Sequence, residues 1–511
     1  MPTLDMPDRP HLDSFRRQAR ALQRAVHAGN PDAIARLARH HPGGVPDDTG
    51  GVRLSAAQLV LAREYGFASW PRLVRYLETV AEHGWDTNLG GVPAADPADE
   101  FCRLACLTYS REDDPASWAQ ARQLLAQHPG LTTVNIWAAA AAARPDDVGR
   151  LLAERPARAA QRGGPFRWRP LYYLVYSRFD PAVPAERVLA VARQLLDAGA
   201  DPNEGYLFDA LPSPFTLLTG VFGNGELDQR RQPRHPHWQA LGRLLLDAGA
   251  DPNDAQALYN RMFEPDNSHL ELLFEYGLGT GDGGPWKTRI EELTTPAQML
   301  RIQLRWAVEH HQPTRVRLLV EHGVDFHSPF EGDGPAWSPG DGRTPVELAR
   351  LNGDTEIADY LLAQGAAPPD SDPVRELIAA AFRADRSTLD QIRAEHPDAV
   401  AQARHSRPGL IVWAATQAPI ETVTLLAELG FDVNAYGRGD APVEQAWETA
   451  LHHAAVDGNV ELTRRLLDLG ADPNLHDQRF DATPLDWARH FHQLSTAALL
   501  GPVTTPAASD Q

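Results

Sequence analysis

The sequence predicts an all-α solenoid, a row of stacked helix-turn-helix units with hairpin-like finger loops, preceded by a small helical module. Three observations predict it. A seven-residue phrase returns along the latter part of the chain, an amphipathic helix pair precedes each clear copy, and 511 residues are too many for one compact core. Composition suits a folded protein, with 43% hydrophobic and 23% charged residues.

In chain order, residues 1–10 (MPTLDMPDRP) are expected to be disordered; they have neither a basic start followed by an apolar core nor a transit-peptide pattern. Residues 11–82 form a helical module. Helical spacing runs through FRRQARALQRAVHAGNPDAIARLARHH at 15–41, where Gly29-Asn30-Pro31 separates two helices, and a second pair follows at 55–80. Phe67 and Trp70 are expected to serve as core or capping anchors, because the end unit of a solenoid must be shielded from water. Residues 83–99, rich in Gly, Pro and Asp, are expected to be a linker. Residues 100–164 suggest degenerate helical repeats, 165–500 the main array, and 501–511 (GPVTTPAASDQ) a disordered tail.

The array rests on its phrase. DAGADPN stands at 197–203 and 247–253, DLGADPN at 468–474, ELGFDVN at 428–434, EHGVDFH at 321–327 and a worn AQGAAPP at 363–369. Its glycines, Gly199, Gly249, Gly323, Gly365, Gly430 and Gly470, are 50, 74, 42, 65 and 40 residues apart, and the two widest gaps each have room for a further unit. In TALHHAAVDGNVELTRRLLDLGADPN (449–474) a two-turn apolar helix stops at Asp457-Gly458-Asn459, and a second amphipathic helix runs to Leu469. Gly458 and Gly470 suit the positive-φ position after a helix end. TPVELARLNGDTEIADYLLAQGA (344–366) repeats the grammar, with Thr344 as helix cap and Pro345 in the first turn, as does TPLDWARHFHQLSTAALL at 483–500.

These units resemble the ankyrin repeat, whose pattern opens TPLHxA and closes with a leucine-rich helix and GADxN. Thr483, Pro484 and Leu485 match the opening; Leu466, Leu467, Gly470, Ala471, Asp472 and Asn474 match the close. Looser units occupy 408–434, 301–327, 374–404, 256–281, 214–253, 168–203, 135–160 and 100–132, for about eleven in all. Residues 11–82 are similar to the short helical module that often leads bacterial ankyrin-repeat proteins. The physical reason for stacking is that a lone helix pair exposes apolar residues on both sides. Leu466 and Leu467 are therefore both expected to be buried against the neighbouring unit.

Chemistry is sparse. A formal charge of −20 and pI near 5.4 repel phosphate backbones and anionic membranes, so neither nucleic acid nor a membrane is an expected partner. No apolar run approaches the roughly 20 residues needed to span a bilayer. Cys102 and Cys106 cannot build a disulfide framework and lack further thiol or imidazole ligands at metal spacing. His310-His311, His452-His453 and the His490/His492 pair point successive side chains to different faces, and HEXXH is absent. Asp113-Asp114 and Asp146-Asp147 stand near helix starts, where they favour the backbone dipole. Phosphate-loop, GxSxG and dinucleotide fingerprints are missing. RRQPRHPHW at 230–238 is either a solvated loop or a reader of acidic patches.

The expectation is therefore a non-catalytic, cofactor-free, metal-free cytoplasmic scaffold, monomeric, that binds an unidentified protein. The alternatives are a structural spacer, or an array accessory to an N-terminal enzymatic activity. Ankyrin resemblance implies a concave surface of fingers and first helices, and three fingers are long: 327–343, 434–448 and 475–482. Their aromatic and charged residues are the candidate partner contacts: Phe330, Trp337, Tyr436, Arg438, Trp447, Arg479 and Phe480, with Asp440 and Asp481 as rim charges.

Overall fold

A computed structural model of the chain describes residues 4, 6–7, 9–225, 229–330, 342–437 and 446–505. It is 58% helix and 3% strand. Two compact units divide it, Met1–Leu300 and Arg301–Gln511.

The first unit opens with the four expected helices, Leu12–His27, Pro31–His40, Leu54–Glu64 and Trp70–His83. Asn30 caps the second, its side chain accepting from the Ala33 N–H at 3.0 Å, and Pro31 sits at the helix start. Phe15, Leu61, Phe67, Leu73, Tyr76 and Leu77 form a core that takes in Leu207, Trp286 and Ile290 from far along the chain. The module is thus packed into the unit rather than tethered to it. Glu64, 3% exposed, takes both arms of Arg36 at 2.6 and 2.7 Å.

Two boundaries from the sequence need correction. Within residues 1–10, Leu4 and Met6 are not loose, since the Leu4 N–H donates to the Glu64 carbonyl at 3.0 Å and Met6 packs on the module core. Residues 83–99 are not a linker. Gly84-Trp85 (β1) pairs in parallel with Gly205–Phe208 (β2), which pairs antiparallel with Phe215-Thr216 (β3). Trp85 is buried among Phe166, Trp168 and Phe208, with ring centroids 4.7 to 5.3 Å away. Glycine and proline density suggested a linker, but Pro97 starts a helix whose cap, Asp96, accepts from the Ala98 and Asp99 N–H groups.

Helix pairs then follow. In the first unit they are Pro97–Ala105 with Pro115–Gln127, Ile136–Ala141 with Pro145–Glu154, Pro170–Tyr176 with Ala185–Asp197, Leu217–Phe222 with Trp238–Asp247, and Ala255–Met262 with Ser268–Glu275. In the second, Pro313–Glu321 is followed by Pro345–Leu351 with Thr355–Ala363, Pro373–Phe382 with Arg386–Glu395, Leu410–Gln417 with Ile420–Glu428, Ala450–Val456 with Val460–Asp468, and Pro484–His490 with Leu494–Leu500. Gly249 (φ +96°) and Gly470 (φ +94°) close their helices in the left-handed region, where a Cβ would meet no neighbour and only backbone strain would oppose it.

The recurring Asp-x-Asn has a second role that local patterning does not reveal. The aspartate folds its own turn, accepting from the Asn203, Asn253, Asn434 and Asn474 N–H groups at 2.9 to 3.0 Å. The asparagine then reaches the next finger. In the first unit Asn203 donates to the Gly249 carbonyl at 2.9 Å and accepts from the Asp251 N–H at 2.8 Å, and Asn253 does the same with Thr280 and Gly279. In the second unit Asn434 donates to the Gly470 carbonyl at 3.2 Å and accepts from the Asp472 N–H at 2.8 Å. Each amide is thus a staple between successive fingers. Asn434→Ala is expected to lower stability by about 1 kcal/mol in urea unfolding, because the finger is exposed and water replaces part of the loss; an unaltered midpoint would remove the staple from the stabilising contacts.

The second unit's core runs from Leu377 to Leu500 and includes Trp413, whose indole N–H donates to the Asn352 carbonyl at 2.9 Å. Leu466 is fully buried in it, but Leu467 is only partly buried at its edge. The two leucines are therefore not equivalent, since adjacent helical positions lie about 100° apart and only one can point to the centre.

Candidate functional site

The described residues of the last two fingers build a shared surface feature in the second unit. The finger 475–482 is wound around Asp477, which is 2% exposed. Its Oδ1 accepts from the Arg479 and Phe480 N–H groups at 2.8 and 2.6 Å, and its Oδ2 from the Ala482 N–H and the Trp487 indole N–H, both at 3.0 Å. Burial alone would raise the Asp477 pKa, but these donors hold it below the ordinary carboxylate value. A buried carboxylate therefore sets the loop.

The described ends of the preceding finger are tied to it. Gly437 and Glu448 form an antiparallel bridge, the Tyr436 hydroxyl donates to the His476 carbonyl at 2.8 Å, and the Gln478 N–H donates to the Trp447 carbonyl at 2.8 Å. Below them His452 shares a capping box with Thr449, and its Nε2 lies 3.0 Å from the Ala482 carbonyl. Burial lowers the His452 pKa, consistent with a neutral ring that joins one unit to the next.

On this frame the rings of Trp447, Phe480, Trp487 and Phe491 adjoin one another, with centroids 5.4 Å (Trp447–Trp487), 5.8 Å (Trp447–Phe480) and 6.4 Å (Trp487–Phe491) apart. The Arg479 guanidinium carbon lies 5.6 Å from the Trp447 ring centre and 5.2 Å from that of Phe480, within cation–π range. Phe480 is 62% and Phe491 50% exposed, too open to be core. Asp481 (φ +54°) points outward, its Oδ1 3.0 Å from His476 Nδ1.

Residues 451–500 match the family model described as ankyrin repeats (many copies). This segment carries ankyrin repeats. The match takes in the last two helix pairs and the finger between them, so Arg479, Phe480, Asp481, Trp487 and Phe491 all lie within an ankyrin-repeat segment. Ankyrin repeats are protein-interaction modules.

Of the residues expected at a partner surface, Trp447, Arg479, Phe480 and Asp481 stand together, and Tyr436 contributes through its tie to His476. Phe330 does not belong with them. It is fully buried beneath the Arg301 guanidinium, 4.7 Å from the ring centre, and its backbone pairs with Gly342 and Arg343. A large apolar ring on a long finger is stabilised by folding back on its own base, and Phe330 does so. Trp337, Arg438 and Asp440 lie outside the described residues.

Asp477, Trp487 and Phe491 also belong to this cluster and are not among the residues the sequence singles out. The Asp-x-x-x-Asp spacing of Asp477 and Asp481 hinted at a closed turn, whereas Trp487 sits in a helix whose pattern indicates only packing.

Elsewhere the arginine-rich stretch 230–238 is neither a solvated loop nor a free acid reader. Arg231 donates to the Asp113 and Arg111 carbonyls at 2.9 and 2.6 Å, Arg234 bonds Asp266 and Ser268, and His235 is buried. Among the described residues no group of His, Cys, Asp and Glu is placed to hold a metal ion, and no helix is long and apolar enough to cross a membrane. Cys102 and Cys106 are buried free thiols, and burial pushes both pKa values up.

Asp113 and Glu204 are among the carboxylates buried in the first unit. Asp113 is pushed up to about 6 by burial, against hydrogen bonds from the Thr108 N–H and hydroxyl. Glu204 is pushed up to about 7 by burial, with the Tyr206 hydroxyl donating to Oε1 at 2.8 Å and Oε2 without a hydrogen-bond partner among the described residues. Folding thus favours the protonated form of Glu204. Its contribution is complete below the unfolded value near 4.5 and is lost as pH rises through about 7. Glu204→Gln should remove that loss, so that from pH 4.5 to 8 its stability relative to wild type rises by at most about 3 kcal/mol. Urea melts at the two pH values measure this, and parallel pH profiles for the two proteins would contradict a protonated Glu204.

Proposed function

We propose that the chain is a non-catalytic scaffold of the bacterial ankyrin-repeat type that binds a protein partner, with the platform of Trp447, Arg479, Phe480 and Trp487 as the contact. The observation that carries this reading is a partly exposed aromatic cluster held in place by a buried aspartate and by bonds between two fingers. A surface fixed before binding loses little side-chain entropy on association, and Trp, Arg and aromatic rings dominate interface energetics.

Support for an array extending before residue 451 comes from the helix pairs on each expected stretch and from the Asn203 and Asn253 staples, which repeat the Asn434 geometry. Support for a non-catalytic role comes from the placement of Asp113, Glu204, Cys102 and Cys106, all buried in packed interior rather than lining an open cleft. Free thiols suit a monomer in the reducing cytoplasm.

The test is quantitative affinity capture from the native host with the wild-type chain, Phe480→Ala and Trp447→Ala. Each substitution is expected to weaken capture of a specific protein tenfold or more, about 1.4 kcal/mol, with the thermal melt retained. Equal capture by all three proteins would move the contact away from this platform and favour a spacer.

A further inference from the structure

Arg479 differs from several arginines of the second unit that are paired with carboxylates. Arg386 is bonded to Glu428, Arg375 to Glu347 and Asp372, and Arg317 to Glu356. The Arg479 guanidinium has no hydrogen bond or ion pair among the described residues, although the chain has 68 acidic residues against 48 basic ones and Arg479 lies between two aspartates in sequence. The structure shows why those aspartates do not neutralise it. Asp477 is saturated by four donors of its own loop and of Trp487, and Asp481 is directed to His476. What holds the guanidinium is a pair of rings, and rings engage a cation without consuming its N–H donors.

Resting on the platform reading above, we propose that the partner segment is an extended peptide in which an Asp or Glu side chain stands beside an aromatic or branched aliphatic residue. The carboxylate bonds the Arg479 guanidinium, for which a planar fork and a planar carboxylate are matched. The apolar neighbour covers Phe480 and Phe491. A cationic segment would meet Arg479 already seated on the rings it would need. The net charge of −20 repels an acidic chain at long range, so acidity by itself gains little, and binding depends on the acid and the apolar residue meeting the platform together.

The experiment is selection of phage-displayed random dodecamer peptides on the immobilised full-length chain. The selected peptides are then titrated by fluorescence anisotropy against wild type, Arg479→Gln, Arg479→Lys, Phe480→Ala and Trp447→Ala, all checked for an intact melt. Enriched sequences are expected to pair an acid with an apolar residue, to lose tenfold or more on Arg479→Gln, to fall between on Arg479→Lys, and to lose as much when the peptide's own acid is changed to its amide. Peptides that need Phe480 and Trp447 but are basic or indifferent to Arg479→Gln would overturn the carboxylate assignment and leave the platform standing. A phosphoserine at the acid position binding more than tenfold tighter than Glu would overturn it in favour of a phosphopeptide. A selection that enriches nothing, or nothing sensitive to the ring variants, would overturn both.

Discussion

Trp168→Ala is expected to destabilise the first unit by about 3–5 kcal/mol, the largest effect of any single truncation proposed for this chain. Trp168 is fully buried at the centre of an aromatic cluster, with Phe166 4.6 Å, Tyr172 4.7 Å, Trp85 5.1 Å, Tyr173 5.4 Å and Tyr176 5.6 Å from its ring. Removing it leaves a cavity that these rings cannot close, because they are held by other bonds. The Tyr172 hydroxyl donates to the Phe215 carbonyl at 2.8 Å, that of Tyr176 to the Thr216 carbonyl at 2.8 Å, and that of Tyr173 to the Gly163 carbonyl at 2.9 Å. The Trp168 indole N–H has no partner among the described residues. Trp168→Phe, which keeps a ring and removes the unsatisfied donor, should therefore recover a large part of the loss. Urea unfolding followed by circular dichroism reads both values, and a Trp168→Ala midpoint equal to wild type would mean that the cluster is not the core of this unit.

Leu466→Ala is expected to destabilise by about 2–5 kcal/mol and Leu467→Ala by clearly less. Leu466 is fully buried with Leu462 and Leu426 in the core of the second unit, while Leu467 keeps part of its surface in water. In a stacked array stability is nearly a sum over neighbouring interfaces, so the leucine between two units carries an interface term that the peripheral one lacks. Equal losses in paired urea melts would show that the interface does not discriminate between them and that stacking is looser than the burial implies.

Much of the fold was legible because its signals are local. Gly249 and Gly470 mark helix ends, Thr344 and Thr483 cap helices through boxes closed by Glu347 and Asp486, and Asn30 with Pro31 starts the second helix of the module. All of these act within a few residues. Phe330 and Trp447 show where that legibility stops. Both are aromatic residues in long fingers, yet one folds inward under Arg301 and the other joins a partly exposed ring cluster with Phe480. Nothing in their neighbouring sequence separates the two, because the deciding partners lie 29 and 33 residues away.

The sequence by itself determined the helix pairs, their turns and their order, since hydrophobic period and capping chemistry depend on residues within a turn or two of each other. Only the tertiary structure decided that Gly84-Trp85 joins a sheet instead of a linker, that Asn203, Asn253 and Asn434 each bond the next finger, and that Arg479 lies by two rings with no ion pair among the described residues. These outcomes depend on which distant groups compete for the same donors and the same buried space. That competition is settled only when the chain has closed on itself.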